Sequence, residues 1–227
     1  MKIKLLILGA CLGASLFSGC NDELSSIGTS IVENGVVVAN RNYGSDGKWD
    51  ETSGILFRNI VDVNGNLKIG KKYPYEISVK NSGGIDTYVR VILTKSMYNK
   101  DGEKATNLSL DVLDLHLLNS DDWIVDETAT TEYRTVMYYK KILLAGETTT
   151  SLTDYIRIDD SILWKAEEKN ITEKNGCATI MMDYTYDGIS FAIDIEADAV
   201  QTHNAEDAIR SAWGRDVTID SNGNIEL

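Results

Sequence analysis

Short runs in which apolar and polar residues alternate one by one recur along this chain. A period of two is typical of β-strands that bury one face and turn the other toward water. Runs of this kind occupy residues 55–61, 75–80, 87–94, 134–140, 152–158, 178–186 and 189–197. At least seven strands joined by turns predict an all-β fold of the antiparallel β-sandwich type, with one or two short helices.

Two turn signals suggest which strands are neighbours. Asp187-Gly188 separates the last two runs, and this dipeptide suits the positive φ angles of a type I′ turn, so we predict a hairpin there. Residues 81–84, Asn-Ser-Gly-Gly, separate the runs at 75–80 and 87–94, which predicts a hairpin or neighbouring strands.

One helix is predicted over residues 205–213, with Asn204 as its N-cap and Gly214 as its end. Residues 108–118 have a mixed period, which fits either a strand or a short helix. Residues 160–175, rich in Lys and Glu, fit either a surface helix or an excursion between strands.

The N-terminus has the features of an export signal. A short basic start is followed by an uncharged run from Leu5 to Phe17, which is too short to cross a bilayer ~30 Å thick as a helix. Ser18-Gly19 before Cys20 resembles a bacterial lipobox, although Phe17 stands where that pattern prefers Leu. We predict that residues 1–19 are a lipoprotein-type signal peptide and that Cys20 is lipidated. Ordinary cleavage nearby, with Cys20 incidental, is the alternative.

We expect residues 20–40 to be a tether or an N-terminal donor-strand segment and residues 41–227 to be a single β-sandwich domain. Removing the signal leaves 20 basic against 35 acidic residues, a net charge near −15. Such a charge repels a phosphate backbone, so a nucleic-acid partner is not expected. Of the three cysteines only Cys177 stays in the folded part, so no internal disulfide is expected, and we predict a buried thiol there.

No pattern of residues predicts a catalytic centre. His116 and His203 are the two histidines, and neither belongs to a His-Glu-x-x-His motif. A zinc hydrolase needs at least three protein ligands around an open position. The alternative is a metal site that the fold assembles from His116, His203 and carboxylates distant in sequence.

Two loops place carboxylates around a glycine, as calcium loops do: residues 45–51 and 99–103. Asx-Gly pairs are also ordinary turn chemistry, which is the interpretation we favour. We therefore predict no cofactor, with calcium as the alternative.

Several motifs in the same order resemble TasA/camelysin-type exported proteins, which are biofilm-matrix proteins and substrates of an alternate signal peptidase in Gram-positive bacteria. The motifs occupy residues 75–91, 113–115 with 121–124, 138–143 with 146–149, and 198–209 with 212–214. The resemblance implies a jelly-roll-like β-sandwich that works outside the cell as a fibre or matrix subunit. A lipobox-like Cys20 departs from that family and suggests a membrane-tethered anchor.

The resemblance also implies self-association, or association with a related fibre subunit, in which an N-terminal segment completes a neighbour's sheet. The candidate donor lies in residues 31–40, where Val36, Val37 and Val38 are strongly β-prone. The alternative is that this run is the first strand of the chain's own sandwich.

The expected function is that of a non-enzymatic, extracellular cell-surface protein. It would serve as a structural or adhesive subunit, or as the anchor, of a matrix fibre, either held at the membrane by lipid or released. The alternatives are a camelysin-like metalloendopeptidase that uses His116 and His203, or a surface lipoprotein that binds glycans or cations.

Overall fold

The computed structural model describes residues 4–5, 11–14, 26–43, 48–57, 60, 67–118, 121–174 and 177–227, and of these it gives the backbone alone for 4–5, 11–14, 49 and 166–183. The N-terminal strands are β1 (Lys4–Leu5), β2 (Cys11–Ala14), β3 (Gly28–Glu33), β4 (Val36–Tyr43), β5 (Trp49–Thr52), β6 (Tyr73–Pro74), β7 (Ile77–Asn81) and β8 (Thr87–Tyr98). The later strands are β9 (Leu113–Leu117), β10 (Trp123–Val125), β11 (Arg134–Tyr139), β12 (Thr153–Ile158), β13 (Ala166–Lys174), β14 (Cys177–Tyr184), β15 (Ser190–Gln201), β16 (Thr218–Ile219) and β17 (Ile225–Glu226). The helices are α1 (Ala205–Trp213) and two 3-10 helices, Leu110–Val112 and Asp160–Leu163.

One layer of the fold is an antiparallel sheet in the order β15-β8-β11-β10. Its centre is the pair of twelve-residue strands β8 and β15, which pair without a register shift from Ser190 opposite Tyr98 to Gln201 opposite Thr87. β1 and β2 lie along the other edge of β15 and run parallel to it.

The second layer is built on β7 and β12. β7 pairs with β3 in a sheet of order β5-β4-β3-β7. On its other side β7 receives hydrogen bonds from the stretch that leads into β12, with Thr149 N–H donating to Val79 O and Leu152 N–H donating to Ile77 O. β12 then pairs with β6 and β9.

The main core lies between the two layers. Val89 and Val91 of β8 meet Ile31 of β3 and Ile77 and Val79 of β7 in one cluster of fully buried side chains. Burial of an aliphatic side chain of this size stabilises the fold by about 1.5–3 kcal/mol. The predicted all-β antiparallel sandwich is therefore confirmed.

The predicted helix is confirmed as α1, and it covers the outer face of the large sheet. Gly214 adopts a left-handed backbone (φ 67°) and donates its N–H to Arg210 O, which ends the helix. The Asn204 side chain makes no capping hydrogen bond. The side chains that form this outer cluster are Tyr88, Ile92, Val136, Tyr138, Val200, Ala205, Ala208, Ile209, Trp213, Val217 and Ile225.

Both pairing predictions are wrong. β14 pairs with β13 and not with β15, although Gly188 does take the positive φ (76°) of a turn. β7 and β8 belong to different layers, because the turn at 81–84 carries the chain from one sheet to the other. Each of these turns passes between sheets, so a tight reversal of direction does not imply a hydrogen-bonded pair.

In three other stretches the structure can be compared with the elements predicted from the sequence. The strand predicted at 55–61 is wrong for its described part, since Leu56 and Phe57 form a buried turn, with Phe57 at φ 65° and its N–H donated to the Glu33 carboxylate. Residues 108–118 hold a 3-10 helix followed by β9. Residues 160–174 hold a 3-10 helix followed by the strand β13, which neither of the two predicted alternatives included.

The sandwich begins before the predicted boundary at residue 41. β3 and the first half of β4 fall within residues 20–40, and Ile31 and Ala39 are completely buried in the main core. None of the helices in the described ranges combines the length and the apolar character needed to cross a bilayer.

Candidate functional site: the open edge of the large sheet

β15 is a long strand of the large sheet whose outer side is only partly paired by the described residues. All twelve residues of β15 pair with β8 on one side. On the other side β1 pairs with Ser190 and Phe191, and β2 pairs with 196–199. Within the described part of the chain, 192–195 have no strand partner on that side.

β2 lies over the seam between the two layers. It pairs with β15 in parallel register, from Cys11 opposite Glu196 to Ala14 opposite Ala199. Its backbone also comes within 8 Å (Cα to Cα) of β3 and β4 in the facing layer. The edge of β15 and the side of the β3–β4 hairpin therefore form two walls of one groove, which an extended segment fills.

The two faces of β15 differ sharply in polarity. Phe191, Ile193 and Ile195 are fully buried in the main core. The alternate residues of its middle carry carboxylates: Glu196 is exposed, and burial raises the pKa of Asp194 above its ordinary value. An extended segment that enters the groove therefore meets an apolar wall inside and an acidic rim outside.

The C-terminal part of β15 is held by a buried ion pair. Arg90 of β8 donates from Nε to Asp198 Oδ2 at 3.0 Å, and the Arg90 guanidinium lies 5.2 Å from the centre of the Trp213 ring. These contacts fix the outer face under α1.

The sequence of β15 lacks several of the usual protections of an edge strand, although it carries the charged residues Asp194 and Glu196. Natural edge strands carry charges, above all lysine, or proline or a bulge, or are very short. β15 has neither Lys nor Pro, is twelve residues long and keeps continuous register with β8. Any part of its outer side that is left uncovered would therefore be open to pairing with another strand.

The candidate donor, Val36, Val37 and Val38, lies in β4 and pairs within the chain's own sheet. A turn at Asn34-Gly35 joins β3 to β4, and β3 lies between β4 and β7. Val36 and Val37 are 61% and 50% exposed. The stretch 31–40 is thus part of this chain's own sandwich.

The structure does not bring the two histidines together. His116 lies on β9 in the second layer, with Nδ1 2.6 Å from Asp154 Oδ1, whereas His203 lies in the turn between β15 and α1. No group of three or more His, Cys, Asp or Glu with metal-binding geometry occurs among the described residues.

His116 also forms part of an aromatic stack on β9 and β12. Its ring lies parallel to that of Tyr155, with centroids 4.5 Å apart, and Lys72 Nζ is 4.1 Å from the centre of the same Tyr155 ring. Two groups this close to one ring must use opposite faces. Neither face of Tyr155 is therefore free to stack on a sugar.

The loop at 99–103 uses its side-chain oxygen internally. Asn99 Oδ1 accepts hydrogen bonds from the N–H groups of Asp101 (3.0 Å) and Glu103 (2.9 Å), and Gly102 has φ 82°. Asp220 does the same for Asn222 and Asn224. Both are Asx-type turns. Residues 44–47 of the other acidic loop lie outside the described residues.

Of the two cysteines predicted for the mature chain, Cys177 lies among the described residues. Cys177 begins β14, where it pairs with Lys174. Cys20 lies outside the described residues.

No protein-family model, curated protein or solved structure matches this chain. The candidate site thus depends on the geometry of β15 alone. Sequence analysis located that strand by its alternation but did not identify it as an edge, since strand order depends on contacts between distant segments.

Proposed function

We propose that this chain is a non-enzymatic, exported cell-surface protein that serves as a subunit or anchor of an extracellular fibre. It joins its neighbours by accepting a strand along the edge of β15. The observation that carries the proposal is a twelve-residue strand without lysine, proline or bulge whose outer side pairs only with β1 and β2 among the described residues, so that removal of residues 1–19 would leave it as an edge strand. The resemblance to TasA/camelysin-type proteins supports the same function.

Hydrogen bonds along the edge give the interaction its direction but not its strength. Each backbone hydrogen bond contributes a net ~0.5–1.5 kcal/mol. Ordering a residue of an incoming strand costs about 1–2 kcal/mol of conformational entropy. The two terms nearly cancel, so burial of apolar surface must supply the affinity.

A strand beside β15 would place its inward-facing side chains against the main core. Ile193, Ile195 and Ala197 of β15 and Ile31 and Ala39 of the facing layer are fully buried in that core. At about 25 cal/mol per Å², a donor that buries a few hundred Å² of apolar area gains several kcal/mol. An apolar donor strand is therefore favoured over a charged one.

Export and charge support an extracellular role. Residues 1–19 are predicted to be removed and Cys20 to be lipidated, which would hold one end of the chain at the membrane. The net charge near −15 of the mature chain favours solubility between encounters. The lipid would make this chain the anchored member of a fibre.

Amide hydrogen exchange of the mature protein tests the proposal. In monomer and in assembled material, the amides of β15 that bond to β8 should be protected alike, and they serve as the internal control. The alternate amides of 190–201, which face the edge, should exchange quickly in the monomer and become protected on assembly. Electron microscopy should show fibres in the same sample.

Two results would contradict the proposal. Assembled material in which the edge amides of β15 still exchange as in the monomer would place the contact elsewhere. A protein that stays monomeric at every concentration, also when seeded with fibre fragments from the producing cells, would remove the fibre function itself.

A further inference from the structure

We infer that residues 11–14 occupy and block the β15 edge in the chain that still carries its leader, residues 1–19. Once the leader is removed, this edge accepts a strand from a neighbour that runs parallel to β15. The inference rests on the proposed function and deepens it, because it names the segment that occupies the same edge before processing. Removal of the leader then opens the edge.

The two pairings of the leader with β15 differ in register by a single residue. Lys4 lies opposite Ser190 and Cys11 lies opposite Glu196, so seven residues along the leader correspond to six along β15. Both pairings are parallel. The two described parts of the leader, 4–5 and 11–14, therefore pair with β15 in the same direction.

Occupation of the edge is exclusive. A strand edge presents one row of N–H and C=O groups, so β15 binds a single strand on that side. While β2 occupies 196–199, a neighbour cannot pair there. A chain that keeps its leader would therefore be held as a monomer.

The chemistry of the leader suits the groove. The sequence from Leu5 to Phe17 carries no charge and no proline. The outer rim of β15 holds Asp194 and Glu196, which would repel an acidic segment. The position of β2 near β3 and β4 shows that there is room for one strand between the layers.

The test uses the full chain with its leader and two substitutions at one paired position. Leu12→Pro removes a backbone N–H and disrupts an added strand, while the control Leu12→Val keeps the N–H and is β-prone. We expect amides of 196–199 that face the leader to exchange about tenfold faster in Leu12→Pro. Leu12→Val should exchange like the unaltered chain. A urea midpoint equal in both variants would show that the sandwich is intact.

The direction of the strand is measured separately. Nitroxide labels on Lys4→Cys or Ala14→Cys, in a background with Cys11→Ser, Cys20→Ser and Cys177→Ser, report which end of β15 is near. The parallel arrangement predicts NMR broadening around Ser190 from residue 4 and around Ala199 from residue 14. The reverse pattern would overturn the inferred direction.

The possible outcomes separate this inference from the proposed function. Unchanged exchange of 196–199 in Leu12→Pro would overturn the plug, even if the mature protein forms fibres. Faster exchange in Leu12→Pro together with fibre formation by this variant alone would support the plug as a brake on assembly. Faster exchange together with a mature protein that never assembles would support the plug and contradict the fibre function.

Discussion

At the scale of single residues, the most heavily bonded carboxylate is Asp126, which ties the loop after β10 to the segment after α1. Asp126 is 1% exposed. Its Oδ1 accepts hydrogen bonds from Thr128 N–H at 3.0 Å and from the Thr128 hydroxyl at 2.6 Å. Arg215 Nε lies 3.2 Å from Oδ2, within ion-pair distance although not aligned for a hydrogen bond.

Replacing Asp126 by Ala should destabilise the protein by about 2–4 kcal/mol, because the change leaves the Thr128 N–H and the Arg215 guanidinium without their acceptor. Urea unfolding followed by tryptophan fluorescence measures the loss. Glu127→Ala is the matched control, since Glu127 is an exposed neighbour, and it should change the stability by less than about 0.5 kcal/mol. Equal effects of the two variants would contradict this role of Asp126.

The same carboxylate makes stability depend on pH. Burial alone would raise the pKa of Asp126, but the hydrogen bonds from Thr128 and the charge of Arg215 outweigh it and lower that pKa below its ordinary 3.8. A carboxylate with a lowered pKa stabilises the folded state fully above pH 3.8, and the contribution is lost as the pH falls through the lower folded value. Between pH 7 and about pH 3, the urea midpoint should therefore fall less in Asp126→Asn than in the unaltered protein. A fall in the urea midpoint that is equally steep in Asp126→Asn and in the unaltered protein would contradict the lowered pKa of Asp126.

At the scale of elements, α1 is the lid on the outer face of the large sheet, and Trp213 is its main contact. The Trp213 ring lies 5.5 Å from that of Tyr138, centroid to centroid, and only 9% of the residue is exposed. Trp164, which follows the second 3-10 helix, is 83% exposed. These two tryptophans therefore form a natural pair of test and control.

Trp213→Ala should cost about 3–5 kcal/mol of folding free energy, because it removes a large buried side chain and leaves a cavity between α1 and the sheet. Trp164→Ala should change the free energy of unfolding by less than about 0.5 kcal/mol. Differential scanning calorimetry on the two variants compares them. A melting temperature unaffected by Trp213→Ala would show that α1 does not stabilise the sheet.

The alternation of the sequence predicts most of the strands that have two clearly different faces. It does not predict which strands pair, because pairing depends on contacts between distant segments. Asp187-Gly188 forms its turn, yet the chain enters a different sheet after it. Phe57 lies in an apolar run but takes a left-handed backbone, since its N–H bonds to the Glu33 carboxylate 24 positions earlier.

The candidate site could not be predicted from the sequence, because it also depends on contacts between distant segments. The run at 189–197 is recognisable as a strand, and the structure extends it to Gln201. β8 pairs along the whole of one side of β15, and β1 and β2 pair along parts of the other, which no local pattern encodes. The run around Val36–Val38 is equally β-prone, but it pairs with β3 inside the sandwich.

At the scale of the whole molecule, the predicted lipid at Cys20 and strand pairing at β15 would together decide where the chain lies in a fibre. β3 begins at Gly28, only a few residues after Cys20. A chain tethered at Cys20 would hold its sandwich close to the membrane surface. Its β15 edge could then accept a strand from a neighbour, while its own N-terminus would be committed to the lipid. Such a chain would end a fibre at the cell surface.

Cys20→Ser should move the protein from the membrane fraction to the medium, whereas Cys177→Ser should leave it in the membrane fraction. The physical reason is that each CH₂ of an acyl chain buried in the bilayer contributes about 0.8 kcal/mol of binding, so two attached chains anchor a protein stably. Fractionation of the producing cells, with mass spectrometry of the N-terminal peptide, measures both variants. The unaltered protein should show an N-terminal Cys20 carrying a diacylglycerol. A Cys20→Ser protein that remains with the membrane would contradict lipid anchoring and would favour a released fibre subunit attached through its β15 edge.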